Sequence, residues 1–401
     1  MSLFEPTLQA AQARLSAVQP DAYARTRNAL EGAVTRLSPY LTHGFLSLAD
    51  VYLAVHKRHP LNAQHKLVFE LGWRGYYRHV WSHLGQGIEQ SLRKGLHPET
   101  VYQQKIPDDF LEARTGIPAI DLAVRSLYET GYVHNHARMW LASYLVHLRK
   151  VHWHAGAQWM LAHLLDGDLA SNHLSWQWVA GTNSNKPYLF NADNIAKYAP
   201  VPWHSPGTVL DTSYEIMHLY ALSAEAIKYD LPPSYASAGM GQPDTGVTPL
   251  GMEWQKPDAT VVTGRDVWLV HPWSLGTPLH VKTTNSICIG IGLIECHSNT
   301  PWSTRRWNFV REGMQTQAEQ LWWGSVQEVV ASLSTARSVQ WQSEPHVNGA
   351  MTELQNRLER NGGCTTALAL DAPELFKPVP AYCASFAQWW KKTGIQLEVD
   401  A

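Results

Sequence analysis

The stretch Asp166-Gly-Asp-Leu-Ala-Ser-Asn-His-Leu-Ser-Trp-Gln-Trp178 decides how this chain is interpreted. In a continuous helix Asp168, Asn172 and Trp176 would fall on one face, because residues four apart are neighbours on a helix. A ligand lying against that face would meet a carboxylate, an amide and an indole in turn. A single acid in a helix is more often solvated, and a single tryptophan is more often part of the core. The combination therefore indicates a binding site more strongly than any one of its members.

The composition narrows the class of protein. The chain has 401 residues, of which 45% are hydrophobic and 16% are charged, and its net charge is −2. This length favours two globular domains. A net charge close to zero does not attract nucleic acid to the protein as a whole. A protein with this net charge can still have a local basic face. The 18 tryptophans are typical of aromatic binding surfaces or electron relays, besides ordinary packing.

The sequence predicts neither a membrane segment nor a metal site. The N-terminus lacks the charged start and apolar run of a signal peptide, and the longest apolar run, residues 287–294, is far too short to span a bilayer. The cysteines lack CxxC spacing, which favours reduced thiols. The pairs His134/His136 and His152/His154 lack the spacing of HExxH. We therefore expect a cytoplasmic monomer that binds no metal.

The order of the patterns predicts two domains joined by a linker. Residues 1–231 read as helices, with Ser38-Pro39 as a helix start, which is also a common arrangement for binding phosphate. Residues 232–264 are rich in Pro, Gly, Ser and Asp, lack apolar periodicity and read as a linker.

Residues 265–401 change character. Apolar runs at 267–270, 286–294 and 367–370 read as buried strands, and 305–321 and 347–358 read as helices. Strands that alternate with helices predict a parallel α/β sheet. We expect this second unit to fold separately and to dock on the helical domain.

These motifs resemble those of the photolyase/cryptochrome family. The block Asp166-Gly-Asp-Leu-Ala-Ser-Asn172 followed by Trp176-Gln-Trp178 resembles its flavin-binding helical domain, and the resemblance covers roughly the first 200 residues. Val267-Trp-Leu-Val270 and Trp302-Ser-Thr-Arg-Arg-Trp-Asn-Phe-Val310 resemble the family's antenna domain, displaced from its usual N-terminal place. The resemblance implies an all-α FAD-binding domain followed by an α/β antenna-like domain. No motif in the sequence identifies an antenna chromophore.

One position departs from the family inside a helical motif. The family pattern Glu-Leu-x-Trp-Arg-Glu-Phe-Tyr is met by Glu70, Trp73, Arg74 and Tyr77, while Gly75 replaces the second Glu. Glycine within a helix costs about 1 kcal/mol. Either the backbone is closely approached at this position or a local contact is lost.

The resemblance implies a set of FAD-binding residues. Asn172 would face the flavin N5, Arg138 would pair with Asp166 against the ring, and Asp168 would reach its pyrimidine edge. A phosphate loop would run from Val34 to Ser38, with Val34 in place of the family's leading Thr. The full set of cofactor-binding residues is Tyr23, Thr35, Arg36, Leu37, Ser38, Arg74, Asn135, Arg138, Asp166, Asp168 and Asn172.

The resemblance also implies a lesion pocket and an electron route. A dimer flipped out of DNA would stack on aromatic walls. Its five pocket residues would be the walls Trp73 and Trp178, the floor Met139, and the hydrogen-bonding groups Glu70 and Asn135. Electrons would reach the flavin through Trp176 and Trp153. Tyr102 lies near the place of the outer member, for which no tryptophan matches.

The function implied is light-driven repair of cyclobutane pyrimidine dimers in UV-damaged DNA, by electron transfer from reduced FAD. The enzyme would be a deoxyribodipyrimidine photolyase. The alternative is a cryptochrome-like blue-light receptor that binds FAD and repairs nothing. A third reading is a nucleic-acid binder that merely keeps a flavin. The set Glu70, Trp73, Met139 and Trp178 favours repair, because a receptor has no need of a lesion pocket.

Overall fold

The computed structural model describes residues 3–227, 239–249, 251, 253–279, 283–361 and 366–396. The first part of the chain is helical. Its α-helices are α1 (Leu8–Ser16), α2 (Pro20–Thr26), α3 (Ser38–Thr42), α4 (Leu48–His56), α5 (Lys66–Leu84), α6 (Asp108–Leu111), α7 (Pro118–Thr130), α8 (Asn135–Ser143), α9 (Trp153–His163), α10 (Leu169–Ala180), α11 (Ala192–Tyr198) and α12 (Tyr214–Leu222). A π-helical segment, Tyr144–Leu148, follows α8, and 3₁₀ turns lie at Gly85–Glu89, Glu99–Val101 and Val201–Trp203. No helix in the described part of the chain is long and apolar enough to cross a membrane.

The ends of the site helices follow from local chemistry. Asp168 caps the N-terminus of α10, and Gly181 ends it with φ of 83°, a left-handed conformation that glycine adopts without strain. Pro118 starts α7 and Gly131 ends it in the same way. Ser38 is the first residue of α3, whose cap residue is Leu37 without a side-chain cap bond. The predicted start at Ser38-Pro39 is therefore present, but the serine is not the cap.

The second part of the chain contains a six-stranded parallel sheet. Its strands are β2 (Trp254–Gln255), β3 (Asp266–Val270), β4 (Ser286–Leu293), β6 (Gln320–Gly324), β7 (Ser338–Gln342) and β8 (Thr366–Leu370), in the spatial order β2-β6-β4-β3-β7-β8. The central strand β3 pairs in register with both neighbours, Val267 lying opposite Ile287 and Val339. The helices of this part are α13 (Ile294–His297), α14 (Thr304–Gln315), α15 (Val326–Leu333), α16 (Asn348–Asn361) and α17 (Phe386–Lys392). The inner strands β3 and β4 are apolar and buried on both faces, as is typical of parallel strands between helices.

Two predicted segments need correction. Within the predicted linker, β1 (Thr245–Gly246) pairs antiparallel with β5 (Trp302–Ser303), and β2 adds to the sheet edge at β6. Two-residue strands carry no periodicity, so no sequence pattern predicted them. The helix predicted at 305–321 ends at Gln315 and the chain enters β6 at Gln320. Residues 228–238, within the predicted helical end and linker, lie outside the described residues.

The apolar core is divided differently from the predicted domains. One cluster lies wholly within the helical part and draws its buried side chains from residues 106–217. The other joins helices α1, α3, α4 and α5 to the sheet and to α14 and α17. Phe309 of α14, for example, packs against Tyr40 and Phe45, with ring centroids 6.4 and 6.1 Å apart. The two parts therefore share one apolar cluster, which argues against the expectation of a separately folding α/β unit.

Candidate functional site

The start of α10 holds a fully buried acid. Asp168 Oδ1 accepts a hydrogen bond from the backbone N–H of Ser171 at 2.8 Å. Its Oδ2 lies 3.5 Å from Arg74, 3.4 Å from Arg78 and 3.9 Å from His346. Burial alone would raise the pKa of Asp168. The guanidinium groups of Arg74 and Arg78 lower it by more, so the pKa lies well below its usual range. Asp168 is therefore ionised at neutral pH.

The α/β part completes this charge network. Arg78 donates to Glu344 at 2.9 Å, and Glu344 lies 2.8 Å from His346. Burial raises the pKa of Glu344, whereas Arg78 and His346 lower it more, to about 2. The network thus ties the loop after β7 to α5 and to the start of α10. Sequence reasoning did not assign Arg78, Glu344 or His346 to the site, because contacts between distant segments leave no local pattern.

A second ion pair lies two residues earlier in the chain. Arg138 Nη2 donates to both carboxylate oxygens of Asp166 at 2.9 and 2.7 Å, and its Nε donates to the carbonyl of Val133 at 2.7 Å. Thr42 Oγ1 donates to the Asp166 carbonyl at 3.1 Å and accepts from Arg74 at 2.9 Å. The two acids of the Asp-Gly-Asp loop are therefore both held by arginines from neighbouring helices.

The rest of α10 packs against α9. Asn172 is buried, and its Nδ2 donates to the carbonyl of Ala157 at 2.8 Å. Trp176 is buried over Gly156, where an added Cβ would collide with the indole ring. The predicted face of Asp168, Asn172 and Trp176 thus exists, with Asp168 as the cap rather than as a helical residue.

The predicted phosphate loop lies before the short helix α3. Arg36 is exposed and has a left-handed φ of 51°. Thr35 Oγ1 accepts from the Leu37 N–H at 3.4 Å, and Leu37 is buried in the core. Burial raises the pKa of Tyr23, and the Glu70 carboxylate adds to this effect. The Tyr23 phenol therefore stays protonated and able to donate a hydrogen bond.

The donors of this region fit an anionic dinucleotide such as FAD. Ser171 Oγ is buried and has no hydrogen-bond partner within the described part of the chain. Arg36 presents an exposed cation beside the start of α3, where backbone N–H groups are free to bind phosphate. A buried hydroxyl without a partner is costly, so a bound polar group at the start of α10 would satisfy it.

The predicted lesion residues come from three helices, and α10 contacts both α5 and α8. Trp178 of α10 is 37% exposed. Glu70 pairs with Arg27 at 3.2 Å. Asn135 begins α8, and its Nδ2 lies 3.8 Å from the sulfur of Met139. Trp73 differs from the expected open wall, because Phe386 stacks on one of its faces at 4.2 Å.

The structure resolves the question raised by Gly75. A Cβ added at this position would lie 3.0 Å from Phe376 and 3.1 Å from Trp389. Most side chains would therefore need their neighbours to move. Glycine stands here because the C-terminal segment approaches the α5 backbone closely.

The predicted electron route is only partly contiguous. Trp153 is buried and donates from Nε1 to Ser91 at 2.9 Å. Tyr102 and Trp153 line one pocket of about 580 Å³. The ring of His152 lies between them, 6.2 Å from Tyr102 and 5.8 Å from Trp153. Trp176 belongs to the same apolar cluster as Trp153.

Four basic side chains of the helical part, Arg74, Arg78, Arg149 and Lys150, bind groups within the protein. Arg74 and Arg78 pair with buried acids, and Arg149 donates to Asp109 at 2.8 and 2.9 Å. Lys150 is 3% exposed, and its Nζ donates to three backbone carbonyls. All four cations therefore have partners within the protein.

Buried histidines predict a steep acid sensitivity. Burial lowers the pKa of six fully buried histidines from 6.5 to about 3 or 4; these are His43, His147, His163, His173, His271 and His297. As pH falls below 6.5, these histidines become protonated in the unfolded chain while they stay neutral in the folded protein. The folded state is therefore favoured fully only above pH 6.5, and its free energy of unfolding falls as pH decreases towards 4. Each such group contributes about 1.4 kcal/mol per pH unit within that window.

Urea unfolding at pH 7.5 and 5.5 checks this prediction. We expect a much lower midpoint at pH 5.5 with an unchanged slope, together with net proton uptake on unfolding. Asp21→Asn, at a side chain that is 83% exposed, serves as the control and should leave the difference between the two pH values intact. Equal free energies of unfolding at both values would contradict the assignment of neutral buried histidines.

Comparison with known proteins shows what part of the helical region is similar to. Residues 67–201 match the family model described as the FAD binding domain of DNA photolyase. A deoxyribodipyrimidine photo-lyase of Synechococcus sp. is 34% identical over 179 residues, which cover 42% of this chain and 37% of that protein. A cryptochrome DASH of Gloeobacter violaceus is 32% identical over 184 residues, covering 44% and 37%.

The matched region is limited in extent. This chain spans little more than a third of the length of these curated relatives. A solved cryptochrome structure from Synechocystis sp. is 28% identical and covers 49% of this chain and 44% of that one, with a TM-score of 0.45. The family match contains α5, α8 and α10, on which the two acid–arginine networks converge. Residues 67–201 are therefore similar to the FAD-binding domain of DNA photolyases and of cryptochrome DASH proteins.

Proposed function

We propose that the protein repairs cyclobutane pyrimidine dimers in DNA under light, as a deoxyribodipyrimidine photolyase. The observation that carries the proposal is that α10, which carries Trp178, contacts both α5, which carries Glu70, and α8, which carries Met139. The same helices carry the two buried acid–arginine networks. Reduced FAD, when bound, supplies the electron that splits the dimer. This chain's residues bind the flavin and the lesion and hold both in place.

Trp178 is suited to stack against a base. It is the more open of the two predicted walls, since Phe386 covers one face of Trp73. A base in a duplex is inaccessible to such a wall, so the dimer would have to be flipped out. Glu70 would hydrogen-bond the flipped dimer, with its carboxylate oriented by Arg27.

Cations beside Trp178 support contact with a nucleic-acid backbone. Ser184 donates to the Trp178 carbonyl at 2.9 Å and to the Lys186 carbonyl at 2.6 Å, which folds this loop back on α10. Arg93 donates to Asn185 in the same loop at 2.9 Å. Both Arg93 and Lys186 are exposed. Phosphate contacts of this kind would supply affinity without sequence preference.

We also propose that Trp176 and Trp153 pass electrons inward to the flavin, with Tyr102 at the outer end. Their burial in one apolar cluster supports this route, although His152 separates Tyr102 from Trp153. The protein would act as a cytoplasmic monomer on UV-damaged DNA.

A cryptochrome-like light receptor is the second candidate. The covered face of Trp73 favours it, because a lesion pocket with only one open tryptophan wall binds a dimer less tightly. The relatives include cryptochrome DASH proteins as well as photo-lyases. A receptor would bind FAD through the same residues and show no preference for damaged DNA.

Trp178→Ala separates the two candidates. Loss of one stacking wall costs about 1–3 kcal/mol, so affinity for dimer-containing DNA should fall about tenfold. Binding to undamaged DNA should hardly change. Tyr214, which is exposed on α12, provides a matched control as Tyr214→Ala. The measurements are binding to damaged and intact oligonucleotides and the yield of repaired dimers under light with reduced flavin. Equal binding of both DNAs by the unmutated protein, without repair, would establish the receptor function instead.

A further inference from the structure

The α/β part inserts one buried arginine into the helical part. Arg306 of α14 is 1% exposed. Its Nη1 donates to the carbonyl of Leu161 at 2.8 Å, and its Nη2 donates to the carbonyl of Gly167 at 2.6 Å. Its guanidinium carbon lies 3.9 Å from the centre of the Trp302 ring. Among the described residues no carboxylate lies within ion-pair distance of Arg306.

The two carbonyls that Arg306 holds define the acidic loop. Leu161 lies in the last turn of α9, and Gly167 lies between Asp166 and Asp168. Any Cβ at Gly167 would collide with Arg306 Nη1, so the glycine allows the guanidinium to approach. A guanidinium group is planar, and its two terminal nitrogens can donate in fixed directions. In Arg306 they hold the two ends of the segment from Leu161 to Gly167.

The positive charge of Arg306 is compensated by nearby carboxylates that do not contact it directly. Burial lowers the pKa of Arg306 to about 9, and the nearest compensation comes from Asp166 and Asp168. The group therefore remains protonated at neutral pH. Trp302 covers the guanidinium face, and this contact stabilises a cation that water does not reach.

We propose that Arg306 is a positioning residue of the flavin site. It would fix the loop that carries Asp166 and Asp168, and it would place a permanent positive charge behind them. A positive charge near a redox group favours its reduced, anionic form. The helical part alone would then form an incomplete site. The proposal rests on FAD binding and not on DNA repair, so a protein that binds FAD without repairing DNA leaves it intact.

Two substitutions separate the effect of the hydrogen bonds that Arg306 donates to the two carbonyls from the effect of its charge. Arg306→Met keeps length and apolar contact but removes both the donors and the charge. Arg306→Lys keeps the charge on one nitrogen, which cannot span both carbonyls. Arg305→Met is the matched control, because Arg305 is the exposed neighbour on α14. The readouts are FAD dissociation constants, flavin midpoint potentials, and melting temperatures of the flavin-free proteins.

For Arg306→Met we expect affinity for FAD to fall about tenfold, as for residues that orient a site from outside it, and the midpoint potential to become more negative. For Arg306→Lys we expect weaker binding with a potential close to that of the unmutated protein. If both variants only melt at lower temperature, with equal potentials, Arg306 is structural and the proposal is overturned. If Arg306→Met does not fold, an unchanged FAD affinity in Arg306→Lys overturns it. Failure of the unmutated protein to bind FAD would instead contradict the flavin site itself.

Discussion

A chain cut after Gly264 is expected to yield no soluble protein that binds FAD. The cut removes Phe309, which packs on Tyr40 and Phe45, and Phe386, which stacks on Trp73. Each large apolar side chain that loses its burial costs about 1.5–3 kcal/mol, whereas a whole domain is stable by only about 5–15 kcal/mol. Loss of several such contacts exceeds that margin.

Expression of residues 1–264 alone, followed by size-exclusion chromatography and flavin absorption, measures this result. Co-expression of residues 1–264 with residues 265–401 is the control, because the two fragments together restore the shared core. A monomeric, FAD-binding fragment 1–264 would show that the helical part folds without the sheet.

Asp168→Ala is expected to destabilise the protein more than any other single substitution at the site. Removing one partner of a buried charge pair costs about 3–5 kcal/mol, because Arg74 and Arg78 keep their charges without compensation. Loss of the cap on α10 adds about 1 kcal/mol. The free energy of unfolding, from urea titrations at pH 7.5, should fall by about that sum.

Two further variants dissect the effect of Asp168→Ala. Asp168→Asn keeps a good cap residue but removes the charge, so it should recover only the smaller contribution. Asp21→Asn is the matched control, since the Asp21 side chain is 83% exposed and its replacement should change the free energy of unfolding by less than about 0.5 kcal/mol. A loss in Asp168→Ala no larger than in this control would mean that the arginines find other partners.

The strongest periodic patterns of the sequence were informative about the elements themselves. The helix start predicted at Ser38-Pro39 is present, and Pro118 and Gly131 lie at helix ends, because helix starts and ends depend on residues close together in the chain. The strands at 267–270 and 286–293 form from apolar runs that are buried on both faces. Local chemistry is enough to specify these features.

Long-range pairing could not be predicted in the same way. Arg78 looked like a surface cation, yet it pairs with Glu344, 266 positions away. Trp73 looked like an open wall, yet Phe386 covers it. Arg306 lay in a helix motif without an assigned role, although it reaches Gly167. Each contact depends on how the two parts of the chain are placed, and no local spacing carries that information.

The division of the apolar core into two clusters also predicts the order in which segments can pack during translation. The buried side chains of one cluster all come from residues 106–217, so this cluster can begin to pack before the sheet is made. Helices α1, α3, α4 and α5, although made first, share their apolar cluster with the sheet and α17, which are made last. Nascent chains would therefore expose these early helices throughout translation. Such exposure promotes aggregation, so slow translation or chaperone shortage should lower the yield of this protein more than that of one whose N-terminal segment folds by itself.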